Sequence, residues 1–111
     1  MGGSRSQAAP ALALTRVVTA TRSAEADLAE AVEWYEAQSP GLGARFLDDV
    51  RTAVDRVALN PFQYQSVHRG ARRAFLHRFP YALIYRLVQD EVRLLAVFHT
   101  SRNPRRWRGR L

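Results

Sequence analysis

The stretch RRAFLHRFPYALIYRLVQDEVRLLAVFH, residues 72–99, decides the fold. Its branched and aromatic residues come in short runs broken by turn residues, the pattern of strands. Residues 72–79 form the first run and meet Pro80, which cannot donate to a ladder and marks a turn or an edge. Residues 82–88 and 92–98 form two more, and Gln89-Asp90-Glu91 between them is a link short enough for a hairpin.

Upstream the period changes. Ala24, Leu28, Ala31, Val32 and Tyr35 recur at helical spacing, while Glu25, Glu30, Glu33 and Glu36 stay off that stripe. Ser23 is placed to cap this helix, with Glu25 and Asp27 in the first turn, where the helix dipole favours negative charge. Ser39-Pro40-Gly41 breaks it. A second stripe of Leu42, Phe46, Leu47, Val50, Ala53, Val54 and Val57 runs to Asn60-Pro61, where the proline disfavours helical geometry in the residue before it. Two helices joined by so short a link pack as an antiparallel hairpin. Residues 14–20, LTRVVTA, read as one more strand.

The expected order is therefore β–αα–βββ: an α+β domain with a helical hairpin packed on one face of a mostly antiparallel sheet. Leu28, Val32, Phe46, Val50, Val54, Leu83, Leu95 and Val97 are the expected core. Trp34 lies one position off the first stripe and reads as core in preference to the floor of a groove.

A chain of 111 residues supports one small domain with one core, and 47% apolar residues argue against wholesale disorder. No stretch approaches the ~20 apolar residues of a membrane span. The start, MGGSRSQAAPALAL, imitates a signal peptide only faintly, so residues 1–13 are expected to be a disordered tail and 14–111 the single domain. The absence of cysteine excludes a disulfide scaffold and a thiolate metal site and fits the cytoplasm. His68, His77 and His99 are scattered without a ligand spacing, and no Gly-rich phosphate loop or nucleophile elbow occurs, so neither metal nor cofactor is expected.

Charge is unevenly placed. Residues 25–68 carry eight acids against three arginines, whereas residues 69–111 carry eleven arginines against Asp90 and Glu91. Such a dipolar chain points toward an anionic partner. The end, HTSRNPRRWRGRL (99–111), concentrates five arginines around one tryptophan and contains no acid. Arg102, Arg105, Arg106 and Trp107 are therefore candidates for binding a target: phosphates with a base stacked on the indole, or a protein surface. Exposed arginines contribute little to folding, so the tail is expected to add little stability.

His99 at a strand end, with Tyr85, Arg86, Arg73 and His77 on neighbouring strands, supplies the residue types for an acid, a base and a cation over a phosphate. The alternative is a histidine that merely hydrogen-bonds at a strand end beside solvated arginines.

Taken in order, AEADLAEAVEWYE (24–36), GLGARFLDDVRTAVDRVALNPFQYQ (41–65), RRAFLHRFPYALIYRL (72–87) and VRLLAVFHTSRNPRRW (92–107) resemble the RelE/ParE superfamily of bacterial type II toxins. The A-R-F, N-P, F-P-Y-x-L-x-Y and H-x-x-R-x-P elements bring the chain nearest the ParE-like, plasmid-stabilisation branch. The resemblance spans residues 17–108 and implies a cytoplasmic growth inhibitor held in a hetero-oligomer by a cognate antitoxin, with Trp34, Tyr35 and Arg73 as antitoxin contacts. ParE-like members are associated with poisoning DNA gyrase, and RelE-like members with cutting mRNA on the ribosome. The RelE-type nucleases often use lysines and a tyrosine near the C-terminus. This chain has no lysine and its last tyrosine is Tyr85, so gyrase is the expected target. The alternatives are a ribosome-dependent endoribonuclease using His99, Arg86, Tyr85 and Arg73, or a degenerate toxin kept for antitoxin binding.

Overall fold

A computed structural model describes residues 15–111; the expected tail, residues 1–13, lies outside the described residues. The elements run β1 (Val18–Ala20), α1 (Arg22–Gln38), α2 (Leu42–Leu59), a 3-10 turn (Pro61–Gln63), β2 (Gln65–His68), β3 (Ala71–Phe75), β4 (Tyr81–Val88), β5 (Glu91–His99) and the short helix α3 (Arg105–Arg108). The sheet order is β1-β5-β4-β3-β2, with β1 parallel to β5 and every other pair antiparallel. This is the expected α+β arrangement with one more strand. Strand β2 reads QSVH, polar and short, as suits an exposed edge.

Turns set the register. The β4–β5 hairpin closes through Gln89 (φ 53°) and Asp90 (φ 69°), and β2–β3 through Arg69 (φ 49°) and Gly70 (φ 79°). Two central residues at positive φ match the twist of the flanking strands. Strand β3 ends at Phe75, short of the expected residue 79, because the following loop is held elsewhere. The buried Asp49 carboxylate on α2 accepts the backbone N–H groups of Arg78 (2.8 Å) and Phe79 (3.0 Å). That clamp drops the Phe79 ring among Tyr35, Phe46 and Tyr81, with centroid separations of 4.9 to 5.3 Å to Tyr35 and Phe46.

The helical hairpin covers one sheet face. Phe46, Val50, Leu83 and Val97 are buried in that core, with Leu28, Val32 and Val54 packed against it. Gly43 permits the close approach of the two helices, since a Cβ there would lie 2.9 Å from the Val32 carbonyl oxygen. The first helix is capped by Thr21, whose hydroxyl accepts from the Ala24 N–H; Ser23 lies inside the first turn and does not cap it.

The second sheet face carries its own small core of Ala71, Ile84, Leu95 and Ala96, and the residue that closes it is Trp107. Only 2% of Trp107 is exposed, with Phe98 and Leu111 packed beside it. The expectation that the basic tail adds little to the fold is thus corrected. Arg102, Arg105, Arg106 and Arg108 face solvent, but helix α3 turns its one large apolar side chain inward.

Candidate functional site

Strand β5 outlasts its neighbour β1. Their ladder covers Val92 to Leu94 and closes with the Thr21 N–H donating to the Leu94 carbonyl (3.0 Å). At that point β5 bulges: Ile84 pairs with Ala96 and Tyr85 with Leu94, leaving Leu95 without an opposite number. The free edge of β5 past the bulge is the floor of a groove of about 680 Å³. One wall is α1, presenting Glu30, Trp34 and Tyr35; the other is the C-terminal segment, presenting Arg102, Arg106 and Trp107.

The walls are tied together at one end. Asp27 accepts both terminal nitrogens of Arg110, at 2.6 and 3.1 Å, a fork-to-fork geometry that raises the Arg110 pKa through the Asp27 hydrogen bond. Tyr81 and His99 line the floor with their rings edge-to-face at 5.2 Å. Burial raises the Tyr81 pKa, against an opposing effect of nearby Arg102; burial and then the neighbouring Tyr81 raise that of Tyr35. The floor is thus aromatic, and the two walls differ in sign. Neither Arg102 nor Arg106 forms an ion pair among the described residues.

Several sequence expectations change here. Trp34 is not core: it is 57% exposed, standing edge-on to Tyr35 at 5.0 Å. Tyr35 beneath it is half-buried and stacks on Phe46 at 5.2 Å, so it anchors the wall that Trp34 presents. Trp107 cannot stack on a base from within its cluster, which leaves Arg102, Arg105 and Arg106 as the accessible part of the proposed target set. Arg73, grouped with Trp34 and Tyr35 as an antitoxin contact, lies away from the groove. It sits opposite Ile84 on the second sheet face, its guanidinium 4.7 Å from the Phe75 ring and donating to Gln65.

The residues proposed for a nuclease do not converge. His99 pairs with Tyr81 and shares the helix-covered face with Tyr85, whereas Arg73 and Arg86 are on the opposite face. Tyr85 is fully buried and donates its hydroxyl proton to the Pro61 carbonyl, and burial pushes its pKa up to about 12. Four residues of strand, ~13 Å, separate it from the Tyr81–His99 pair. The His99 ring accepts the Ser101 N–H at Nδ1 (3.1 Å), shaping the chain reversal after β5. Arg86 donates to the Arg69 carbonyl, and His77 is 2.7 Å from an Arg56 guanidinium nitrogen. Asp27 and Arg110 are site residues that the sequence does not mark as such: Asp27 reads only as a first-turn acid, though it lies beyond the first turn of α1, and Arg110 only as one of five clustered arginines. They are 83 positions apart, and nothing local in either segment links them.

A helical hairpin on a five-stranded sheet, closed below by a short C-terminal helix, defines the toxin class of fold that the motifs suggested. The family model described as "ParE toxin of type II toxin-antitoxin system, parDE" matches residues 18–104, and the chain belongs to that family. Among solved structures, the chain is similar to one titled "Chromosomal ParDE TA system from P. aeruginosa". That match has a TM-score of 0.70 and 22% identity, and covers 79% of this chain and 99% of the other. No curated protein matches the chain.

Proposed function

We propose that this chain is a growth-inhibiting toxin that acts on DNA gyrase in the cytoplasm and is neutralised by a cognate antitoxin seated in the α1–β5 groove. The observation that carries the reading is that Trp34 and Tyr35 line the same groove as Arg102 and Arg106. An antitoxin segment that covers the exposed indole covers those arginines too, so neutralisation follows from occlusion of the target-binding cations. An acidic partner segment suits the unpaired Arg102 and Arg106, and attraction across the groove speeds encounter. The separation of His99 and Tyr85 from Arg73 and Arg86 by the sheet gives the ribonuclease alternative no assembled site.

The direct test is a supercoiling assay with purified gyrase and the purified chain. Inhibition with accumulation of cleaved DNA is expected, retained in His99→Ala and lost in Arg102→Gln/Arg106→Gln. Unimpaired gyrase together with cleavage of ribosome-bound mRNA would overturn the reading. Inertness in both assays, with antitoxin binding intact, would identify a degenerate toxin.

A further inference from the structure

The Asp27–Arg110 pair does more than join two walls. Beyond the bulge, the Val97 N–H donates to Asp27 Oδ2 (3.0 Å) and the Leu95 carbonyl accepts from Arg110 Nη1 (3.0 Å). These two backbone groups flank Ala96. In a parallel ladder, the residue opposite Ala96 would donate its N–H to the Leu95 carbonyl and accept the Val97 N–H on its own carbonyl. The carboxylate and the guanidinium therefore occupy the acceptor and donor positions that β1 would fill if it ran one bonded residue further. An unpaired edge is a template for strand addition, and a side-chain plug is one way to guard it.

We propose that the groove takes an extended partner segment as an added strand on the Leu95–Val97 edge, with the Asp27–Arg110 pair as a displaceable place-holder. The inference rests on the reading of the groove as the antitoxin's seat. It adds the partner's conformation and its residue pattern. A strand on this floor sends alternate side chains to opposite walls, because successive residues point to opposite faces. One wall is the exposed Trp34 ring and the other carries Arg102 and Arg106, so the fitting segment alternates apolar with acidic residues.

The probe is a fluorescein-labelled octapeptide of alternating valine and glutamate, titrated into the full chain by anisotropy. Two versions carry backbone N-methyl groups, one on every valine and one on every glutamate. In an added strand the amides that face β5 all belong to one of these two sets. One methylated peptide should bind as the parent does, and the other at least tenfold more weakly. Absence of parent binding, or any smaller difference between the two, overturns the proposal. Arg110→Met should tighten the parent peptide at least threefold, as should Asp27→Asn, because each weakens the place-holder. Weaker or unchanged binding in both variants would show the pair to be a fixed strut and overturn displacement. The toxin reading fails separately: it falls if the chain neither arrests growth nor inhibits gyrase, whatever the peptides do.

Discussion

Replacing Trp107 with alanine tests whether the basic tail is part of the fold. The indole is almost wholly buried against Ala71, Ile84, Leu95 and Ala96, with Phe98 at 5.8 Å. Truncating a buried tryptophan to alanine costs about 3–5 kcal/mol. Part of that is offset here, because the indole N–H has no partner, and a buried unpaired donor itself costs about 1–3 kcal/mol. The net loss should be about 2 kcal/mol, or roughly 10 °C in melting temperature for a domain of this size. Urea and thermal denaturation followed by circular dichroism measure it, with Arg105→Gln, an exposed neighbour, as the control expected to stay within about 0.5 kcal/mol of wild type. A Trp107→Ala protein that melts within 2–3 °C of wild type (roughly 0.5 kcal/mol by the same scaling) would refute the docking of helix α3.

Three further outcomes follow from the packing. Gly43→Ala should destabilise by about 1–3 kcal/mol, since its Cβ would meet the Val32 backbone oxygen at 2.9 Å and the two helices must part; equilibrium denaturation checks this. Phe46→Ala should cost about 3–5 kcal/mol by emptying the middle of the aromatic cluster with Tyr35, Phe79 and Tyr81, and a loss under 1 kcal/mol would show that the cluster collapses around the gap. The Tyr85 pKa is raised from 10.0 to about 12 on folding, so the stability it links to is intact below pH 10 and is lost as pH rises toward 12. Tyr85→Phe should flatten that alkaline decline, read as the pH dependence of the urea midpoint.

The sequence carried the helices well because their signals are local. The stripes on both helices, the Ser39-Pro40-Gly41 break and the Asn60-Pro61 stop are all readable within a few residues. Strand β2 was not readable, because Gln65–His68 has neither an apolar run nor clean alternation and is a strand only by pairing with β3. Trp107 was masked by its arginine neighbours. The one available signal was Leu111, four residues on, which places two apolar side chains on one side of a single turn. The groove was legible only in its parts. Trp34, Tyr35, Arg102 and Arg106 could each be singled out by type. Their meeting depends on β1 stopping at Ala20 while β5 runs on to His99, and that is a property of the sheet.

The central claim is that the groove's arginines are what the target meets. Inducing the intact chain in bacteria, while following an SOS reporter and the rate of protein synthesis, tests it most directly. The account predicts that SOS rises before translation falls, and that Arg102→Gln/Arg106→Gln, folded and stable, produces neither SOS nor arrest. Translation stopping first without SOS, or undiminished arrest by the double variant, would contradict it.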